Sequence, residues 1–386
     1  MSIFAHEPPE LWTDDETKYW LAFGQLQGRG LGHQRVRRLF EEARTLKPLW
    51  LASKSELKEI PWLAHDVIDD FVNQREKIDP DELLAKVKEA DIQAYPLGHP
   101  LYPNDLRQIH DPPLVLYMKG ELNTEDLLHG IGIVGTRRPT SYGQRLAKDF
   151  GRELARAGAT IISGMAVGVD SLTHWGAIEG GGRTIAVVAT GVDICYPSSN
   201  KPLYSKLVDG KHGAVVSEFF PGTKPEKWHF PARNRIISGL SQAVLVIEAG
   251  EQSGALITAR LAFEQSRTVF SIPGRVDAPM SVGTNGLIAK DMAHLVATPK
   301  DVLDKLNWVP SNYRGQEVPT VVELFGRERE VFELISSEPV HFDFLCEKSG
   351  LPAGELSATL TMLELAGIVA RHPGDWYTRE PVALAK

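Results

Sequence analysis

The sequence predicts an α/β chain: a doubly wound, mostly parallel Rossmann-like sheet, preceded by a small helical domain and followed by a winged-helix domain. Three observations carry that expectation. From about Gly130, six short apolar runs alternate with helical patterns. The first 90 residues lack this alternation and hold Trp-, Leu-, Glu- and Lys-rich helical stretches instead. Residues 307–320, NWVPSNYRGQEVPT, combine turn-forming residues into an exposed linker with a third module beyond it.

The helical domain is placed at 1–90 and resembles a SAM or helix-hairpin-helix module. Its segment 26–43, LQGRGLGHQRVRRLFEEA, has glycines whose hairpin amides could hold a DNA phosphate or simply turn the chain. A second copy near 60–71 carries Pro-Trp-Leu in place of glycines. The central domain is placed at 96–305, with strands at 131–135, 160–164, 184–191, 214–219, 243–250 and 268–274. Each is nearly continuous in Val, Ile and Ala, as strands covered on both faces require. Between the first two, Leu146, Phe150 and Leu154 repeat at i+4 as the core stripe of a helix that Gly158 ends. In the tail, 321–386, helical patterns near 327–337 and 354–366 precede a hairpin with its turn at His372-Pro-Gly-Asp. Over 317–386 six Lys or Arg face twelve Asp or Glu, a net −6 that favours protein contact or plain packing over DNA reading by this module.

With 386 residues, 42% hydrophobic and 24% charged, the chain is expected to fold as a globular protein. No apolar run approaches the ~20 residues of a membrane span, and the N-terminus lacks a leader pattern, so a cytoplasmic protein without membrane contact is expected. Two cysteines, Cys195 and Cys346, supply neither a disulfide framework nor a CxxC metal site. The formal charge of −8 excludes a uniformly basic nucleic-acid binder, leaving the local distribution to decide.

Ligands of open α/β sheets bind beyond the carboxyl ends of the strands. There this sequence places GTRRPTSYG (135–143), in which Gly135 admits close approach, Thr140 or Ser141 caps a helix, and Arg137 with free helix amides makes an anion site suited to phosphate. SGMAVGVD (163–170) leads to a helix with Asp170 as its expected N-cap. Residues 221–236, PGTKPEKWHFPARNRI, alternate Lys224, Lys227, Arg233 and Arg235 with Trp228, His229 and Phe230. That suits a nucleic-acid strand, with Trp228 and Phe230 either meeting bases or anchoring the loop. Ser253-Gly254 opens a further helix on the same edge. No cofactor is expected. The GxGxxG at 130–135 lies inside the first strand rather than after it, and no P-loop occurs.

GTRRPTSYG, SGMAVGVD, TGVDICYPSSN (190–200), FPARNRIISGLS (230–241), EAGEQSGALITARLAFEQSRTVFSIPG (248–274) and GTNGLIAKDMA (283–293) resemble, in order, the motifs of the DNA-processing protein A family, DprA or Smf. The resemblance implies a non-enzymatic, cytoplasmic, often homodimeric protein that binds single-stranded DNA, protects incoming strands and helps load RecA recombinase in natural transformation. It implies a phosphate contact at Arg137 in a pocket lined by Gly135, Thr136, Ser163 and Gly164. Lys227 and Phe230 match basic and base-contacting positions ahead of PARNR, which holds Arg233. Ser198 and Ser199 stand where a Lys or Glu is frequent, so a cation there must come from Lys201 or be missing, and Met292 stands where a glycine is usual.

The competing class is a nucleotide phosphoribohydrolase of the lysine-decarboxylase-like fold, which needs the glutamate of PGGxGTxxE. The corresponding stretch, from Glu248 to Ala259, has no carboxylate after Ser253-Gly254 at that spacing, leaving Glu218, Glu248 and Glu251 as edge carboxylates.

Overall fold

The computed structural model describes residues 12–26, 30–122, 124–308, 324, 326–336, 338–366 and 368–379. The chain divides into two compact units, Met1–Ser311 and Asn312–Lys386.

In the first unit, α1 (Asp14–Gly24), α2 (His33–Ala43), α3 (Lys47–Leu51), α4 (Lys54–Leu57), α5 (His65–Arg75) and α6 (Pro80–Glu89) form the helical part. Its rings interlock: Phe23 stacks on Phe71 at 5.5 Å and meets Trp50 edge-on at 5.1 Å. Buried residues then continue without a break from Trp20 and Phe71 through Tyr102 to Val187 and Val216, so the helical part and the sheet share one core. Residues 27–29 of the expected hairpin lie outside the described residues.

The sheet contains β1 (Gln93–Pro96), β2 (Val115–Gly120), β3 (Gly130–Val134), β4 (Thr160–Ser163), β5 (Thr184–Val187), β6 (Gly213–Ser217), β7 (Ala243–Val246), β8 (Thr268–Ser271) and β9 (His294–Leu295), in the order β1-β2-β6-β5-β4-β3-β7-β8-β9. Pairings from β6 to β9 are parallel. Antiparallel β1 and β2 extend one edge and lie outside the six expected strands. Between the strands run α7 (Asn104–Arg107), α8 (Ser141–Arg156), α9 (Val169–Glu179), α10 (Lys201–Val208), α11 (His229–Gly239), α12 (Gly254–Glu264), α13 (Val282–Ala289) and α14 (Pro299–Lys305). All six expected strands reach too far at their carboxyl ends, by one to four residues. Val188, Ile247 and Ile272 lie beyond the strands yet stay buried and keep ladder-like bonds, Val188 N–H to Val216 O at 2.9 Å among them, so their apolar character reads as strand.

The buried stripe of α8 is Ala147, Phe150, Gly151 and Leu154, whereas Leu146 is only half-buried. The stripe lies against α9, and a Cβ on Gly151 would come within 2.5 Å of the Thr173 carbonyl oxygen.

The second unit has its own core of Val331, Phe332, Leu345, Leu356, Leu360 and neighbours. It comprises α15 (Arg327–Leu334), β10 (Val340–His341), α16 (Phe342–Ser349), α17 (Ala353–Leu365), β11 (Val369–His372) and β12 (Trp376–Arg379), a three-helix, three-strand winged helix in which α16 was not expected. In the first unit, Trp308 falls within the expected linker yet stacks on His129 at 4.2 Å.

Adding one methyl at the α8–α9 crossing tests that packing. Gly151→Ala is expected to cost ~1–3 kcal/mol through overpacking, read as a lowered urea midpoint; an unchanged midpoint would mean the helices move apart freely.

Candidate nucleic-acid interface

In the parallel part of the sheet the chain winds outward from β3 in both directions, through β4 on one side and β7 on the other. The crevice between them is the topological switch point, where strand ends diverge and leave room for a ligand. A cleft of about 700 Å³ opens there, lined by the turn after β3, the turn after β7 and the start of α11.

The turn after β3 is held by a single residue of the neighbouring strand end. Thr136 N–H donates to the Glu248 carbonyl at 2.8 Å, while Thr140 donates its N–H and its hydroxyl to the Glu248 carboxylate at 2.9 and 2.6 Å. Thr140 in turn caps α8 by accepting from Gly143 N–H at 3.2 Å. Glu248 is only 4% exposed, and the missing Cβ of Gly143 leaves the space its carboxylate fills. An internal carboxylate therefore lies at the start of α8, where it complements the helix end beside the expected anion site. Arg137 and Arg138, in the arch between the two threonines, are left exposed.

The structure brings Gly135, Thr136, Arg137, Phe230 and Arg233 together along the cleft. Phe230 is half-buried, its ring 5.2 Å from the Arg137 guanidinium and 5.9 Å from the ring of Tyr196. Arg233 is 5% exposed, and its Nη1 donates to Val187 O at 3.1 Å. Burial lowers its pKa, Asp170 opposes that, and Arg137 adds to it, so Arg233 braces the cleft wall. Ser163 and Gly164 lie beneath the cleft surface: the Ser163 hydroxyl is fully buried and donates to Ile133 O at 2.6 Å, and a Cβ on Gly164 would collide with the Arg233 guanidinium. Lys227 and Lys201 are exposed on flanking segments outside the cleft lining, Lys201 as the first residue of α10.

Asp170 is not the N-cap of α9, because Gly168 occupies that position. The Asp170 carboxylate instead accepts from Ala166 N–H at 3.4 Å; burial raises its pKa, and the Arg233 charge counters the rise. α12 begins at Ser253-Gly254 as expected, and Ser253 caps it by accepting from Ala255 N–H at 3.3 Å. Trp228 is 61% exposed, which excludes the buried-anchor reading for that ring. At GTNGLIAKDMA the left-handed residue is Asp291, at φ 54°, so the turn closes without a glycine at Met292, which packs against the core. Of the edge carboxylates an enzyme would use, Glu248 is committed to Thr140, and Glu218 pairs with Arg235 at 2.6 Å.

Two matches to family descriptions settle the class of this fold. Residues 93–307 match the model of DNA recombination-mediator protein A and residues 318–375 that of the DprA winged helix domain. The chain belongs to the DprA/Smf family. It is similar to Protein Smf of Synechocystis sp., 34% identical over 95% of this chain and 99% of that protein. Among solved structures it is similar to DNA processing protein A of Streptococcus pneumoniae, with TM-score 0.64 and 33% identity over 76% of this chain and 98% of the other. A second, DNA processing protein A of Helicobacter pylori, described for its single-stranded DNA binding mode, has TM-score 0.50 and 31% identity over 56% of this chain and 95% of the other.

Replacing one Glu248 oxygen with a donor sets an N–H against the groups that donate to it. Glu248→Gln is expected to destabilise the first unit by ~1–3 kcal/mol in urea titration, and an unchanged midpoint would remove Glu248 as the brace of this turn.

Behind the cleft, His174 is fully buried on α9, with Nδ1 2.6 Å from the Thr184 hydroxyl, which donates to Ile161 O at 2.7 Å. Burial, with the Arg233 charge adding, pushes His174 from 6.5 down to about 3. The unfolded chain thus takes this proton near pH 6.5 and the folded chain only near 3, so between them the folded state binds fewer protons. Stability is full above the upper value and falls by up to ~1.4 kcal/mol per pH unit as pH drops through the window. Urea titrations at about pH 7 and about pH 5 should show a smaller loss for His174→Asn than for the native chain; equal losses would contradict it.

Proposed function

We propose that this chain is a non-enzymatic, cytoplasmic single-stranded DNA-binding protein of DNA processing in natural transformation, one that shields incoming strands and helps load RecA recombinase as a homodimer. The observation that carries the reading is the Arg137–Phe230 pair at the switch-point cleft, an exposed guanidinium 5.2 Å from a half-buried ring. A phosphate takes the guanidinium through charge-assisted bonds, and a base takes the ring through stacking, the two contacts a flexible single strand offers together. Because phosphates and base faces carry little sequence information, binding is expected to be nearly independent of sequence. Membership of a family that includes a protein described for its single-stranded DNA binding mode supports the reading. In the site we propose, Gly135 and Thr136 shape the arch, Ser163, Gly164 and Arg233 form its floor, and Lys227 and Lys201 receive the strand on either side.

An anisotropy titration with single-stranded and duplex DNA over a salt series tests this. Tighter binding to duplex would overturn it. Arg137→Ala is expected to weaken single-strand binding by ~1–3 kcal/mol, and a folded variant with native affinity would remove Arg137 from the site. Lys227→Ala is expected to reduce the slope of log affinity against log salt by about 0.7, one phosphate contact on a single strand, and an unchanged slope would exclude that contact.

A further inference from the structure

The exposed ring next to Lys227 is not part of the cleft lining. Trp228 leaves 61% of its surface in solvent, yet its orientation is fixed from three directions. Its indole N–H donates to the Glu226 carboxylate at 2.5 Å. Its ring meets His229 edge-on at 4.1 Å and 75°, and Phe219 edge-on at 5.9 Å and 80°. His229 is itself anchored, 2% exposed with Nδ1 3.1 Å from Ala189 O, and lies 3.9 Å from the Phe219 ring. The indole is thus the outermost member of a three-ring cluster rooted in the fold.

A large apolar ring held still in water gains nothing from its exposure, and its surroundings fit one kind of ligand. Lys224 and Lys227 are exposed beside it in the same segment, and Phe230, two residues on, lines the cleft. Cations interleaved with a fixed, open aromatic face match a strand whose phosphates and bases alternate, and a pre-oriented ring loses little freedom on stacking. We propose that Trp228 is a second stacking platform, outside the cleft, that takes a base of the strand after it leaves Phe230. The inference rests on the single-strand reading of the cleft and extends the contacted length beyond it.

The test uses the full chain, oligothymidylates of two lengths, one just filling the cleft and one reaching past it, and the variants Trp228→Phe, Trp228→Ala and Arg137→Ala. The chain has eight tryptophans, so the difference between native and Trp228→Phe emission isolates the signal of this one. The long oligomer should quench native emission more than that of Trp228→Phe. Trp228→Ala should weaken long-oligomer binding about tenfold with the salt slope intact, Trp228→Phe should retain most of the affinity, and the short oligomer should bind the native chain and both Trp228 variants alike. Equal quenching in the native chain and Trp228→Phe, or native long-oligomer affinity in Trp228→Ala, overturns the platform. So does an affinity loss appearing only with a change in oligomeric mass, since the ring would then serve contact between copies. Failure of the native chain to bind either oligomer, or an Arg137→Ala variant that binds as the native chain does, would instead bring down the reading of the cleft.

Discussion

Two strand ends leave the sheet side by side, β3 turning into α8 and β7 into α12, and the contact that joins them is the Glu248 carboxylate against Thr140. The carboxylate gains two donors and a helix start, which offsets the desolvation of a charge that is 4% exposed. With Thr136 bound to the carbonyl of the same residue, the five-residue arch from Thr136 to Thr140 is fixed at both ends on one residue of the adjacent strand. Arg137 and Arg138 lie within that span. The position of these exposed cations therefore depends on an internal anion at the same helix end.

A similar division separates Arg233 from Arg137. Both arginines line the cleft, but Arg233 is spent on Val187 O and faces a buried carboxylate, whereas Arg137 is exposed over an aromatic ring. Buried charge is costly unless paired, so the inner arginine is held by the fold, and its field raises the cost of protonating His174. The outer arginine remains available for a ligand. This arrangement gives a braced wall and an exposed cation from the same residue type.

The parallel strands were legible because burial on both faces leaves continuous Val, Ile and Ala, and their carboxyl-end loops because glycines, caps and cations stand out against such runs. The strand ends were not, since Val188, Ile247 and Ile272 remain buried after the pairing stops. The edge strand β1, Gln-Ala-Tyr-Pro, has no clean alternation to announce it, whereas β2 beside it holds the buried apolar run Val-Leu-Tyr-Met, a strand signal that lies outside the βα alternation. Of the site, Arg137 and Phe230 could be found by position alone. The role of Glu248 could not, because its partner Thr140 is 108 residues away and nothing local in Glu-Ala-Gly distinguishes a brace from a catalytic acid. Asp170 was misread for the opposite reason: an acidic residue near a helix start is usually a cap, whereas here the Ala166 N–H and the buried Arg233 give the side chain another task.

The formal charge of −8 bears on how such a site would choose its ligand. An acidic chain repels nucleic acid at long range, so affinity must come from a few local cations and from contacts that do not depend on charge. Duplex DNA satisfies the cations but keeps its base faces stacked inside, and so offers nothing to Phe230 or to an exposed indole. A single strand offers both phosphates and base faces. With net charge opposing and rings favouring, the single-strand preference we propose would follow from subtraction: repulsion lowers binding of both forms, and stacking restores it for one alone. That preference should therefore persist, or widen, as salt screens the cations, because the stacking contribution is the part that salt leaves in place.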